Sequence, residues 1–229
     1  MTPLVLFAAL GLAQAAEESE EKRLQYILDR LPAEIRAGDE QLLIGEVRRL
    51  RDFPTQERAV DALAGLARHR LGRVALGAIR ALGEVRHPRG VPPLLALARE
   101  LDDEKKKELA AMTVWALGEC RDARAHPVLV KKLSSRETAV AAAAAEALGK
   151  STAKRRAAAE ALLKEYEALS ASYQSSRETT LQKRYEALSG PLLQAFGALA
   201  GRSFSGNVTE LRTWFNENGS KIKDEKPGQ

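Results

Sequence analysis

An all-α fold, a right-handed α-α superhelix of stacked helix pairs closed by a short C-terminal helix, is what this sequence predicts. Three observations lead there. The triplet Ala-Leu-Gly recurs at 81–83, 116–118 and 147–149, with spacings of 35 and then 31 residues. A period of that length marks a helical solenoid, in which each unit buries its apolar face only against its neighbours. The match also runs beyond the triplet. Ala81-Leu82-Gly83-Glu84-Val85-Arg86 lies over Ala116-Leu117-Gly118-Glu119-Cys120-Arg121, and Pro92, Leu94 and Leu95 lie over Pro127, Leu129 and Val130. Composition agrees: 45% of residues are hydrophobic but only 5% aromatic, so the core must be Leu, Ala and Val. Small core residues let helix axes approach closely, and no stretch alternates in the two-residue period of a strand.

Taken in order, the elements begin with an uncharged stretch of sixteen residues. Leu4 to Leu12 is apolar and Ala13-Gln14-Ala15 is a small-x-small cleavage site, so residues 1–15 read as a secretory signal peptide. The run is too short to span a bilayer, and no Cys follows it to carry a lipid anchor. In the N-terminal helix expected over 16–38, Leu24, Ile27, Leu28 and Leu31 share one face, and Pro32 is expected to end it. Asp39 caps a helix to about Arg51, Asp52-Phe53-Pro54 turns the chain, and a further helix reaches about Arg68. Helices then follow near 73–84, 90–101, 104–119, 124–134, 137–149 and 153–170. Each triplet Gly stands where a helix C-cap takes a positive φ. Pro92 and Pro127 lie in first turns, where a missing N–H costs nothing. The second helices of the pairs are expected to line the concave side.

The third copy is eroded, with Ala158 in the slot of the Pro. Tyr166-Glu167-Ala168-Leu169-Ser170 recurs as Tyr185-Glu186-Ala187-Leu188-Ser189, with a loop at 172–176 between them. Pro191 opens the last apolar helix of the repeat region, 39–200. Gly201 to Gly206 breaks it, and Asn207-Val208-Thr209-Glu210 matches a capping box. Leu211, Trp214 and Phe215 form one apolar face, so 201–217 reads as a lid on the final hydrophobic layer. The polar stretch 218–229 is expected to be a disordered tail.

Helices that end in Ala-Leu-Gly, followed by helices that open on Pro with paired Leu, resemble HEAT repeats of the short bacterial kind grouped with phycobilin-lyase-like repeats. Residues 73–101 and 104–133 carry the pattern fully and 137–169 in part; 39–68 share only its periodicity, with Arg51 in the Gly slot. The stretch Leu199-Ala200-Gly201…Phe204…Gly206…Trp214-Phe215…Asn218 resembles a tail found on secreted bacterial HEAT-repeat proteins. The resemblance implies a HEAT-like solenoid offering a contact surface, and it names no reaction.

The charges are unevenly spread. Residues 1–47 hold 4 basic and 9 acidic side chains, whereas 48–99 hold 11 and 4, every basic one an Arg. Arg73, Arg80, Arg86 and Arg89 are therefore candidates for a docking patch, against the plainer reading that Arg at helix ends serves the dipole and covers apolar surface. Trp115 is a candidate anchor for a partner, because its repeat equivalents are Arg80 and Glu146; the plain alternative is packing on a neighbouring helix. The single cysteine, Cys120, takes the slot of Val85 and reads as a small apolar filler. His69, His87 and His126 lack the His-Glu pairs of iron-binding HEAT-repeat hydroxylases, and Cys120 with His126 makes a weak nucleophile-base pair. No metal, cofactor or catalytic residue is expected. The leading expectation is an exported, periplasmic or secreted, non-catalytic protein-interaction scaffold with a protein partner and no membrane anchor after cleavage. The alternative is a cytosolic nucleic-acid-binding or DNA-glycosylase/lyase-like enzyme on the same scaffold. Export and the lack of interleaved aromatics disfavour nucleic acid.

Overall fold

Helix stacks against helix along the described residues, in a computed structural model that describes residues 3–176 and 178–225, with side chains described from residue 18. The described residues form an all-α protein with eleven α-helices packed as sequential pairs. These are α1 (Pro3–Ala37), α2 (Glu40–Arg51), α3 (Glu57–Leu66), α4 (Gly72–Val85), α5 (Val91–Glu100), α6 (Lys107–Cys120), α7 (His126–Leu133), α8 (Thr138–Gly149), α9 (Arg155–Ser175), α10 (Thr179–Ala200) and α11 (Val208–Asn218). Two layers result. Helices α2, α4, α6, α8 and α10 lie side by side in one, and α3, α5, α7 and α9 form the other. The core runs unbroken between the layers, through Leu50, Leu63, Ile79, Leu82, Leu94, Leu117, Leu148, Leu162 and Phe196.

The repeat pattern selects these elements by simple means. In α4 the buried residues Val74, Ala75, Ala78, Ile79, Ala81 and Leu82 follow the helical period. The Asp39 carboxylate accepts the N–H groups of Gln41 and Leu42, satisfying two of the donors that open α2. Pro92 and Pro127 fall within the first two positions of α5 and α7, as the repeat predicts.

The triplet glycines do something other than cap. Gly83 and Gly118 lie inside their helices, and Gly149 is the last residue of α8, before the C-cap Lys150. The residues that turn left-handed are Arg86 and Arg121, at φ 56° and 50°, three positions further on. A Cβ on Gly83 would lie 2.8 Å from the Ala116 Cα, and one on Gly118 would lie 2.5 Å from the Ala147 Cβ. One on Gly149 would lie 2.9 Å from the Ala195 Cα. The Gly of each triplet thus receives the Ala of the next, and Ala195-Phe196-Gly197 stands in for a fourth triplet.

This contact decides the curvature. Helices α4, α6, α8 and α10 meet at the van der Waals limit, whereas α5, α7 and α9 touch one another sparsely. A two-layer array bends toward its tighter layer, so the triplet-bearing helices line the concave side. The expectation that the second helices would do so is corrected, because the small residues lie on the first.

Other boundaries also shift. Pro32 and Pro191 lie inside α1 and α10 rather than at an end. Buried Leu31 and Glu34 flank Pro32, and buried Leu188 and Leu192 flank Pro191, so packing outweighs the one lost backbone bond. Residues 172–175 of the expected loop are the end of α9, whose Ser172 hydroxyl donates back to the Ala168 carbonyl, and only Ser176 is extended. Helix α1 runs through the 15/16 boundary of the expected signal segment.

The chain closes with α11. Asn207 Oδ1 accepts the Glu210 N–H at 3.0 Å. The Glu210 carboxylate bonds the Ser205 hydroxyl at 2.6 Å instead of returning to Asn207, so the box is half made. Phe196, Phe204, Trp214 and Phe215 form an aromatic cluster with ring centroids 5.1–6.3 Å apart, covering the last layer. The expected disordered tail is ordered as far as it is described. Ile222 is buried, the Asp224 carboxylate accepts the Arg155 N–H, and the Glu225 N–H donates to the Thr152 carbonyl. The first N–H of α9 on Asp224, the Glu225 N–H on Thr152, an ion pair of Arg155 with Glu225 and the buried Ile222 side chain hold it; 226–229 lie outside the described residues.

Candidate functional site

Register along the triplets puts equivalent residues of successive helices in rows across the concave layer. One row is Ile44, Leu76, Ala111, Ala142 and Gly190. The next is Gly45, Gly77, Met112, Ala143 and Pro191, and all of these but Gly190 are half-buried. Each repeat therefore presents a small or aliphatic surface there, where a helix facing only water would present charge. The third row reads Arg48, Arg80, Trp115, Glu146 and Gln194.

Trp115 is half-buried, and its ring reaches within 3.0 Å of where a Gly83 Cβ would stand. The indole therefore rests on the neighbouring helix, in space that the missing side chain of Gly83 leaves. Its remaining face closes the middle of the apolar strip. Beyond it a cavity of about 580 Å³ opens between α8 and α10, with Ala142, Ala143, Pro191 and Ala198 in its walls and Glu146, Lys150 and Gln194 on its rim.

The four arginines do not gather at one free edge. Arg73 donates to Glu40 at 3.0 Å, and Arg80 to Glu84 at 3.0 Å. Arg86 reaches Glu119 at 2.6 Å in the next repeat. Arg89 lies on the other layer and clamps Glu57 at 2.6 Å and Asp61 at 2.7 Å. Arg51 to Glu84 and Arg68 to Glu100 repeat the arrangement. Exposed pairs of this kind contribute little to stability, because water and salt screen them. All but Arg80 to Glu84, which lies within α4, join neighbouring elements and so favour one alignment of the helices.

Glu119 is the most enclosed of these acceptors. Burial alone would raise its carboxyl, but the Lys150 and Arg86 side chains outweigh that and hold it below the usual carboxylate range. Beside it, burial and the charges of Asp122 and Glu119 push the Cys120 thiol up to about 11. The thiol stays protonated at neutral pH and packs on the core, as the Val85 equivalence predicts. Burial lowers the His126 imidazole, whose Nδ1 has no partner among the described residues. The cavity beside His126 is lined by Gly118, Asp122 and Thr152 and does not include the Cys120 side chain.

Sequence reasoning missed one feature. Glu34 and Glu46 are buried at 7% and 3% exposure between α1 and α2. Burial raises the Glu46 carboxyl, with Glu34 adding to it, while Arg49 and Arg30 partly offset the effect. No spacing rule marks the pair, since the two residues meet only through the packing of α1 on α2. Among the described residues no three His, Cys, Asp or Glu side chains gather as metal ligands, and no helix is long and apolar enough to cross a membrane.

No curated protein matches the chain. The family model of the PBS lyase HEAT-like repeat matches residues 74–100, which are α4 from its third residue, the turn and α5. The chain thus carries a PBS lyase HEAT-like repeat within an array of packed helix pairs.

Proposed function

We propose that the protein is a non-catalytic interaction scaffold whose concave face receives a protein segment. The observation that carries this reading is the apolar strip of half-buried residues crossing five helices, with Trp115 at its centre. Elsewhere in the Trp115 row the side chains are Arg, Glu and Gln, so a Trp there supplies a large anchor at the middle of the strip. The flanking Arg80, Glu84, Glu146 and Lys150 are held in ion pairs among themselves and with their neighbours. An uncharged, extended segment with small or apolar side chains is the partner such a face suits. The same pairing engages Arg73, Arg80, Arg86 and Arg89 with carboxylates, which supports this reading over a nucleic-acid-binding enzyme that would use them. Export to the periplasm or beyond is part of the proposal, resting on the uncharged run before Ala13-Gln14-Ala15.

The test compares affinity capture from the native source with wild type, Ala143→Arg on the concave strip and Lys131→Glu on the opposite layer. The expected result is at least tenfold loss of the captured protein with Ala143→Arg and retention with Lys131→Glu. Equal capture by all three proteins would sink the reading. N-terminal sequencing of the native protein is expected to start at Ala16 or Glu17; a retained Met1 overturns export.

A further inference from the structure

Helix α1 closes the N-terminal end of the array, packing chiefly on α2 and at fewer points on α3. Its buried Leu24, Ile27 and Leu31 join Leu43, Val47 and Leu50 of α2 in the apolar core. The same interface encloses two acids, Glu34 of α1 and Glu46 of α2, whose side chains are 9% and 4% exposed.

The two carboxylates are only half engaged. Arg30 Nη2 lies 3.0 Å from Glu34 Oε1, and Arg49 Nη1 donates to Glu46 Oε1 at 2.7 Å. Glu34 Oε2 and Glu46 Oε2 are enclosed and have no hydrogen-bond partner among the described residues. Glu119, the other buried carboxylate, is the contrast: Lys150 donates to one of its oxygens and Arg86 to the other, each at 2.6 Å. A buried carboxylate oxygen without a donor is costly while charged, and a proton on the group relieves that cost.

The nearby cations leave the gap unfilled. Arg30 and Arg49 keep about half of their side chains in water, where solvent screens them, and Arg30 also donates to the Tyr26 hydroxyl at 2.7 Å. On α3, Arg89 clamps Glu57 and Asp61, and Arg58 donates to Gln25. On α4, Arg73 donates to Glu40 and Arg80 to Glu84. Burial is the largest influence on the Glu46 carboxyl and raises it, ahead of Arg49, Glu34 and Arg30. Helix α1 is also short of one backbone bond beside the acids, because Pro32 has no N–H for the helix ladder.

We infer that α1 is a proton-linked latch: when docked it holds one proton between the unpartnered oxygens of Glu34 and Glu46, and ionisation of both acids loosens it from the first apolar layer. Below the ordinary carboxylate range both acids are neutral whether α1 is docked or not, and docking carries no penalty. As pH rises the undocked acids ionise first, so docking weakens until the docked pair has ionised as well. The latch is therefore tightest in acid. Glu100, Glu119 and Asp122, held below the usual range by their cations, carry the opposite sign and add stability as pH rises. A melting temperature mixes the two effects, so the readout must be local to α1.

The test is hydrogen exchange of the α1 amides over residues 24–36 of the full chain between pH 4.5 and 8, beside an NMR titration of the side-chain carboxyls. Protection of these amides, corrected for the intrinsic exchange rate, is expected to fall about tenfold across that range, the change that one unit of displacement in a carboxyl produces. Glu46 is expected to titrate above a Glu in a free peptide. Glu46→Gln keeps the shape without the charge. It is expected to hold α1 protection within about twofold across the range, and above wild type at pH 8. Glu34→Gln is expected to act the same way, and it decides with the direct titration if Glu46→Gln does not fold. Protection of α1 that does not fall with pH, Glu46 titrating at or below the free-peptide value, or wild-type pH dependence in a folded variant overturns the inference.

Discussion

At the scale of the residue, the triplet glycines show how a single hydrogen atom can set a fold's spacing. Gly118 lies in the last turn of α6, within the helix, where Ala is ordinarily favoured by up to about 1 kcal/mol. Its missing Cβ is where Ala147 sits, so any side chain must push two helices apart. Gly118→Ala is therefore expected to destabilise by about 1–3 kcal/mol through overpacking. Gly45 is the control: it too lies within a helix, and a Cβ there would meet nothing within 4 Å. Gly45→Ala is expected to stabilise by about 0.5–1 kcal/mol. Urea denaturation of both variants checks the pair, and a change of the same sign in both contradicts the contact as the cause. The two left-handed arginines belong to the same scale. Arg86 and Arg121 accept an uncommon conformation while the Arg86 guanidinium reaches Glu119 in the next repeat.

Among the elements, the C-terminal cap carries the most consequence. Helix α11 brings Leu211 and Phe215 into the core, and Trp214 meets the edges of Phe196 and Phe204. The segment after it returns to the start of α9, where Asp224 serves the Arg155 N–H. Ile222, at 9% exposure, is the one apolar side chain it buries. Deleting residues 219–229 is expected to cost about 1–2 kcal/mol, from the lost Ile222 burial and the freed α9 donors. Hydrogen exchange is expected to rise first in the opening turn of α9. Unchanged protection there would show that the segment contributes nothing to the fold.

For the whole molecule, contacts are almost entirely between sequential neighbours, so stability is a sum of repeat terms and interface terms. The tightest interfaces are the steps from α4 to α6, α6 to α8 and α8 to α10. Weakening the middle step should uncouple the two halves of the array. Gly118→Ala is thus expected to broaden the urea transition and lower its apparent m value relative to Gly45→Ala. A transition as steep as wild type would mean that the array unfolds as one unit regardless of that step. The proposed docking strip depends on the same geometry. Its rows stay continuous only while successive helices keep their register.

Much of this was legible beforehand, because helix content, repeat period and capping are local properties. The Ala-Leu-Gly period, the Asp39 and Asn207 caps, the first-turn prolines and the slot of Cys120 all follow from chemistry within a few residues. What stayed hidden depends on contacts between distant residues. The triplet Gly is equally suited to a cap and to a close approach until the neighbouring Ala is placed. The tail was expected to be free until Asp224 and Ile222 found α9, a partner some seventy residues earlier. The candidate arginines formed a patch along the chain, yet Arg73, Arg86 and Arg89 were claimed by carboxylates of neighbouring elements and Arg80 by Glu84 of its own helix. Periodicity could place Trp115 on a face; whether that face met water or the gap over Gly83 was settled by packing. Secondary structure is encoded within a few turns, but side-chain partnership is a property of space, and only folding creates it.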